Sequence, residues 1–216
     1  MDMPWEGPEA VFQDRTEAGR LLAAKLMPYA KQPNVIVLGL PRGGVPVAFE
    51  VAEALRVPLD VFVVRKLGTP WQRELAMGAI ATGGVRVLND DVVDGLGIPR
   101  EIIDEVTAEE ERELKRRELA YRGGRSALEV NGKTVILIDD GVATGSTMLA
   151  AIRAIRAQKP ARLVVAVPVI ADSTYRELRT EADEFVALMR PEIFYGVGAW
   201  YRNFNQTSDA EIARLL

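Results

Sequence analysis

Short runs of consecutive apolar residues alternate along the chain with stretches whose apolar positions recur every three or four residues. That rhythm predicts strands buried on both faces and separated by amphipathic helices, the pattern of a mostly parallel sheet flanked by helices. The clearest apolar runs are residues 35–40, 59–64, 135–138 and 163–167, with weaker ones at 85–88 and 185–188. Helices are expected at 15–29, 45–55, 146–157 and 173–182. The predicted fold class is α/β, as one domain over residues 1–216 with its core at 34–188.

Two stretches break the rhythm. Residues 68–84 are rich in Gly and polar side chains, and their first half reads as a mobile loop. Residues 99–122 are dense in charge, and the apolar positions Ile102, Ile103, Val106 and Leu114 are too sparse for a wide buried stripe. That segment is expected to be an inserted, solvated helix laced with i,i+4 ion pairs. Packing against a second copy of the chain would be its alternative use.

Composition narrows the chemistry. The chain has 216 residues and neither Cys nor His, so thiolate nucleophiles, disulfides, imidazole bases and Ser–His triads are excluded. Carboxylates, Lys, Arg, hydroxyls, backbone amides and a carboxylate-bound Mg²⁺ remain. A net charge of −4 argues against a broad nucleic-acid surface. There is no apolar run long enough to span a bilayer and no leader pattern, so a cytoplasmic location is expected.

One segment stands out. Residues 133–147 read KTVILIDDGVATGST: a buried strand ends on Asp139 and Asp140, and a Gly-containing loop then opens a helix near Ser146. Ligands of open α/β sheets bind at the carboxyl ends of strands, which is where this loop lies. Amides at a helix N-terminus favour a phosphate, Ser146 and Thr147 add hydroxyl donors, and the glycines let backbone approach closely. Two carboxylates facing a phosphate would repel it, so they fit better on sugar hydroxyls one ribose away. Helix capping alone would not call for paired acids followed by this loop.

This segment closely resembles the 5-phosphoribosyl-1-pyrophosphate (PRPP) motif of type I phosphoribosyltransferases. The resemblance implies that Asp139 and Asp140 hold the ribose hydroxyls and approach Mg²⁺ mostly through those hydroxyls and water. Gly141, Val142, Ala143, Thr144, Gly145, Ser146 and Thr147 would wrap the 5′-phosphate. Gly39-Leu40-Pro41-Arg42-Gly43-Gly44 stands where the family has its pyrophosphate loop, often with an unusual backbone conformation, so Arg42, Gly43 and Gly44 would grip the diphosphate. Arg65 and Lys66, after the second strand, would face the leaving group, and Arg73 and Glu74 would work on a closing loop. A C-terminal hood at about 190–206 would cover the acceptor, with Tyr195 and Trp200 on the base.

By the same resemblance the partners would be PRPP and a purine- or pyrimidine-like base, transfer would occur at C1 with inversion, and the protein would be a homodimer. Ala143 stands where hypoxanthine–guanine members usually have Asp, which weakens a 6-oxopurine acceptor. Two other functions compete. A regulatory protein would bind PRPP or a nucleotide without turnover, and a sugar-phosphate hydrolase would use Asp139 or Asp140 as nucleophile, with Asp172 the nearest further acid.

Overall fold

A computed structural model describes residues 11–72 and 75–216. The first half of the chain forms α1 (Arg15–Leu26), β1 (Val35–Gly39), α2 (Gly44–Leu55), β2 (Leu59–Val61), β3 (Val64–Gly68), β4 (Ala76–Ala81) and β5 (Val85–Leu88). It continues through α3 (Asp90–Leu96), α4 (Arg100–Arg122), β6 (Thr134–Ile138), α5 (Ser146–Ala157), β7 (Arg162–Val169), α6 (Asp172–Leu178), β8 (Glu184–Met189) and α7 (Asp209–Leu215). A parallel sheet runs β2-β1-β6-β7-β8, and a separate antiparallel sheet runs β3-β4-β5.

The unbroken apolar runs have a direct cause in the layering. Val35 and Val37 of β1, Ile136 and Ile138 of β6, and Val164 and Ala166 of β7 pack with Leu22, Leu26, Val47, Val51 and Leu55 of α1 and α2. Their chain neighbours Ile36, Leu38, Val135, Leu137, Leu163 and Val165 face the other way, onto Met148, Ile152 and Ile155 of α5. Successive strand side chains point to opposite faces, so a sheet covered on both faces needs apolar residues at every position. Each large side chain so buried contributes roughly 1.5–3 kcal/mol.

The stretch at 59–64 was expected to be one strand, and it is two. β2 ends at Val61, and the chain crosses to the second sheet through the buried Phe62 and Val63. The Phe62 amide still donates to the Gly39 carbonyl (2.9 Å), whereas that of Val63 already donates to Thr82 Oγ1 (2.9 Å). The Gly-rich stretch also changes character: Ala76–Ala81 is the central strand of the antiparallel sheet, and residues 82–84 are the turn that leads from it into β5.

Helix α4 is real, but it is not solvated all round. Ile103, Thr107, Leu114, Tyr121 and Arg122 are buried at helical spacing, against the antiparallel sheet and α7. A narrow stripe suffices because the sheet beneath presents Val63, Leu67, Met77 and Ile80. The outer face keeps the expected pairs, such as Lys115–Glu111 and Arg117–Glu113. Its end is clamped by Arg122, whose Nε donates to Asp60 Oδ1 at 2.8 Å, with the two side chains only 5% and 8% exposed. Arg122 Nη2 and the Leu128 amide complete that network on the Val61 carbonyl and Asp60 Oδ2. Among the described residues, no helix is long and apolar enough to cross a membrane.

Candidate active site

Strand β6, at the centre of the parallel sheet, delivers the acids at its carboxyl end, and the following loop is tied down from beneath. The Val142 amide donates to the Val169 carbonyl (2.9 Å), the Ala171 amide donates to that of Val142 (3.1 Å), and Thr174 Oγ1 donates to that of Ala143 (2.6 Å). Gly145 then turns the chain at φ +76° into α5, a left-handed conformation that favours glycine. A Cβ there would sit 2.7 Å from Thr174 Cγ2. Ala143, Thr144, Ser146 and Thr147 remain exposed, and the first amides of α5 have no acceptor within the helix. A cavity of about 240 Å³ opens here, lined by Asp139, the whole 141–148 stretch and Val197 of the hood.

The two acids do not act alike. Asp139 is half-buried and lines the cavity, its Oδ1 accepting from the Asp140 amide at 2.9 Å. Burial and the neighbouring Asp140 charge push its carboxyl well above the ordinary carboxylate range. Asp140 turns away from the cavity and takes Arg15 Nε at 2.8 Å. Burial raises the Asp140 carboxyl too, with Arg15 pulling in the opposite direction. The Asp140 carbonyl accepts from the Tyr201 hydroxyl (2.5 Å), whose own ionisation is suppressed by burial. Of the two acids expected on the ribose, Asp139 lines the cavity and Asp140 is paired with Arg15.

The turn at 41–44 lies directly against these acids. Its Pro41–Arg42 peptide is cis, the unusual backbone expected there. A Cβ on Gly43 would fall 1.9 Å from Asp140 Oδ2, and one on Gly44 would fall 2.8 Å from Asp139 Cα, so only glycine permits this approach. Arg42 is half-exposed and stands 3.9 Å from Asp209 of α7.

The remaining candidates divide. Lys66 reaches the loop, its Nζ 3.4 Å from Ser146 Oγ at the start of α5. Arg65 does not: its guanidinium sits on Glu110 of α4 at 2.6 Å. Both belong to strand β3, not to the end of a parallel strand, so successive side chains leave on opposite faces. Arg73 and Glu74 lie outside the described residues.

In the hood, Tyr195 is exposed, whereas Trp200 is only 6% exposed and packs with Phe12, Ala18 and Val169. Trp200 stacks on Phe194 at 6.3 Å and pins the hood instead of lining the cavity, which corrects its expected place on a base. Its buried Nε1 has no hydrogen-bond partner among the described residues. The hood residue that does reach the cavity is Val197, which its aliphatic side chain gave no reason to single out.

Comparison with known proteins matches this geometry to a family. The model of the phosphoribosyl transferase domain matches residues 70–197, more than half of the chain. The chain belongs to that family. A Mycobacterium tuberculosis (strain H37Rv) protein provisionally named a phosphoribosyl transferase is 49% identical over 206 residues, which cover 95% of this chain and 46% of that protein. The chain thus spans about half the length of that relative. The bifunctional protein PyrR of Listeria monocytogenes (strain EGD-e) is 32% identical over 140 residues, 59% of this chain and 72% of PyrR. The crystal structure of TT1426 from Thermus thermophilus superimposes with a TM-score of 0.86 at 40% identity, covering 95% of this chain and 97% of that one.

Two partners that fix the site, Arg15 and Tyr201, lie outside the matched residues 70–197, and nothing in the sequence tied either of them to Asp140. Arg15 lies 125 residues from Asp140, and Tyr201 lies 61 residues beyond it. Neither belongs to a local motif, so only the folded chain brings them together.

Proposed function

We propose that the chain transfers the 5-phosphoribosyl group of PRPP to a nitrogenous base and releases pyrophosphate. The observation that carries this is the cavity that Asp139 and the residues opening α5 line together, with the 41–44 turn packed directly against Asp139 and Asp140. Lys66 adds to it. A cation beside a helix N-terminus is opposed by the helix dipole unless an anion lies between them, and a 5′-phosphate or diphosphate would be that anion. Ser146 and Thr147 would donate to the 5′-phosphate, Asp139 would accept from ribose hydroxyls, and the 43–44 amides with Arg42 would hold the diphosphate.

An oxocarbenium-like transition state needs position and charge balance more than a strong base. That suits a chain without histidine. Arg42 would have to leave Asp209, a weak contact at 3.9 Å between half-exposed groups. Val197 and the hood would exclude water from C1.

Magnesium fits the donor set in one way only. Among the described residues no cluster of three or more acids could hold a metal by itself. Mg²⁺ keeps several waters and takes one or two carboxylates plus substrate oxygens, which Asp139 in the cavity wall satisfies. When bound, the ion would offset the charge of the departing diphosphate.

Calorimetric titration of PRPP with Mg²⁺, followed by a pyrophosphate-release screen over purines, pyrimidines and orotate, tests the proposal. Binding together with release on one base is the expected result. Binding without release from any base would make the protein a PRPP sensor, and absence of binding would end the transferase function.

A further inference from the structure

We infer that Arg15 is a positioning residue: paired with Asp140, it fastens α1 and the end of the hood to the phosphoribosyl loop and leaves Asp139 as the acid that meets the ribose. This rests on the transferase function proposed above. It differs from it in assigning Asp140 to the scaffold and in giving a role to an N-terminal helix outside the motif.

Three contacts converge on one guanidinium. Arg15 Nε donates to Asp140 Oδ2 at 2.8 Å, Nη1 donates to the Asn205 carbonyl at 2.7 Å, and the group lies 4.0 Å above the Phe204 ring. The two partners' side chains are 13% and 12% exposed, so the pair is shielded from water and from salt. Arg can hold a carboxylate, a carbonyl and an aromatic face at once because its fork is planar and rigid; Lys cannot.

The pair also sits within a larger clasp. Residues 11–13 pair with the hood, where the Phe12 amide donates to the Trp200 carbonyl (2.9 Å) and the Arg202 and Asn203 amides donate back to Phe12 and Gln13 (2.9 Å each). Phe12 and Phe204 both pack on Tyr201, whose hydroxyl donates to the Asp140 carbonyl. Asp140 is therefore held by side chain and by backbone from the same N-terminal and C-terminal segments. It is also wedged against the 41–44 turn, since a Cβ on Gly43 would meet both Asp140 Oδ2 (1.9 Å) and Arg15 Nε (3.1 Å). Asp140 cannot leave Arg15 for a sugar without disturbing the turn and the hood together.

The test compares the parent with Arg15→Gln, Asp140→Asn, Asp139→Asn and the doubles that combine Arg15→Gln with each. Affinity for PRPP with Mg²⁺ is read by calorimetry, and hydrogen exchange is followed in the ligand-free proteins. Arg15→Gln and Asp140→Asn should each weaken PRPP binding about tenfold, with their double no weaker than about tenfold, because both remove one interaction. Losses from Arg15→Gln and Asp139→Asn should instead multiply. Exchange should rise jointly at 141–147 and 197–206 in Arg15→Gln, and Arg15→Lys, which keeps the charge and a donor, should restore part of the affinity.

Multiplying losses for Arg15→Gln with Asp140→Asn would overturn the inference, as would an Arg15→Gln affinity equal to the parent's. A parent that binds no PRPP would remove the transferase proposal and this one with it. A parent that binds while Arg15→Gln matches it removes this one alone. Should Arg15→Gln fail to fold, Arg15→Met, which also removes the charge and the donors, supplies the same comparison with Asp140→Asn.

Discussion

The two sheets serve the site differently. In the parallel sheet β1 and β6 are buried almost throughout, and what they present at their carboxyl ends is mainly backbone, the 41–44 turn and the loop into α5, with the Asp139 side chain between them. In the antiparallel sheet β3 and β5 are half-buried, and what they present is side chains, Lys66 toward the loop and Arg65 toward α4. Rigid backbone can be set close to an anion only where glycine permits it and where the layer beneath cannot yield. Long cations on a half-open sheet can change partner. The comparison therefore predicts that damage to the first region falls on fold and binding together, and damage to the second mainly on binding.

The largest effect should come where the two regions are joined. Arg122→Met leaves Asp60 buried with its charge uncompensated, and should cost about 3–5 kcal/mol in urea unfolding. Converting Asp60 to Asn as well should recover much of that loss. If Arg122→Met were neutral, the clamp between α4 and β2 would not hold the sheets together.

Next comes the loop itself. Gly145→Val adds a branched side chain at φ +76° and drives its Cβ toward Thr174 and Leu178. Strain and overpacking together should cost about 2–4 kcal/mol, and PRPP binding should fall with stability. A variant that keeps its stability but loses binding would mean that the loop can shift on α6.

How much of this was legible in the sequence follows the same division. The parallel sheet announced itself, because strands covered on both faces must be apolar at every position, and the acids and glycines of 139–145 are contiguous. The antiparallel sheet did so only at Val85–Leu88. Ala76–Ala81, AMGAIA, has little β-branched character, and it becomes a strand only because β3 and β5 supply partners on both edges. The division of labour between Asp139 and Asp140 was hidden too. Adjacent acids look equivalent until Arg15, from the far end of the chain, claims one of them. Trp200 was misplaced because an aromatic in a cover segment packs a hood as readily as it stacks a ligand.

Asp139→Asn should act in the opposite sense to the first two changes. Its carboxyl is raised by burial and by Asp140, so the folded state holds that proton more tightly than the unfolded chain. The resulting stability is present at low pH and lost as pH rises through the raised value. Near pH 8 the ligand-free Asn variant should therefore be more stable than the parent by about 1 kcal/mol, a common gain when a functional group is removed. The difference should vanish at about pH 2, below the ordinary carboxylate range, where the acid is protonated in both states. Urea titrations at the two pH values check it, and a parent that is more stable near pH 8 would mean that Asp139 is satisfied in the free protein.

The smallest effect separates the two cations of β3. Arg65 and Glu110 form a partly exposed pair, 28% and 22% exposed, so Arg65→Gln should cost no more than about 1 kcal/mol of stability. Lys66→Met should cost even less, because among the described residues its side chain makes only a long hydrogen bond to Ser146, at 3.4 Å. PRPP binding should reverse that order. Lys66→Met removes the cation already at the mouth of α5 and should weaken binding several-fold, about 1 kcal/mol, whereas Arg65→Gln should matter less while Glu110 holds the guanidinium away. If Arg65→Gln weakened PRPP binding more than Lys66→Met, Arg65 would have to exchange Glu110 for the diphosphate. The antiparallel sheet would then be a moving part of the site, not a fixed wall.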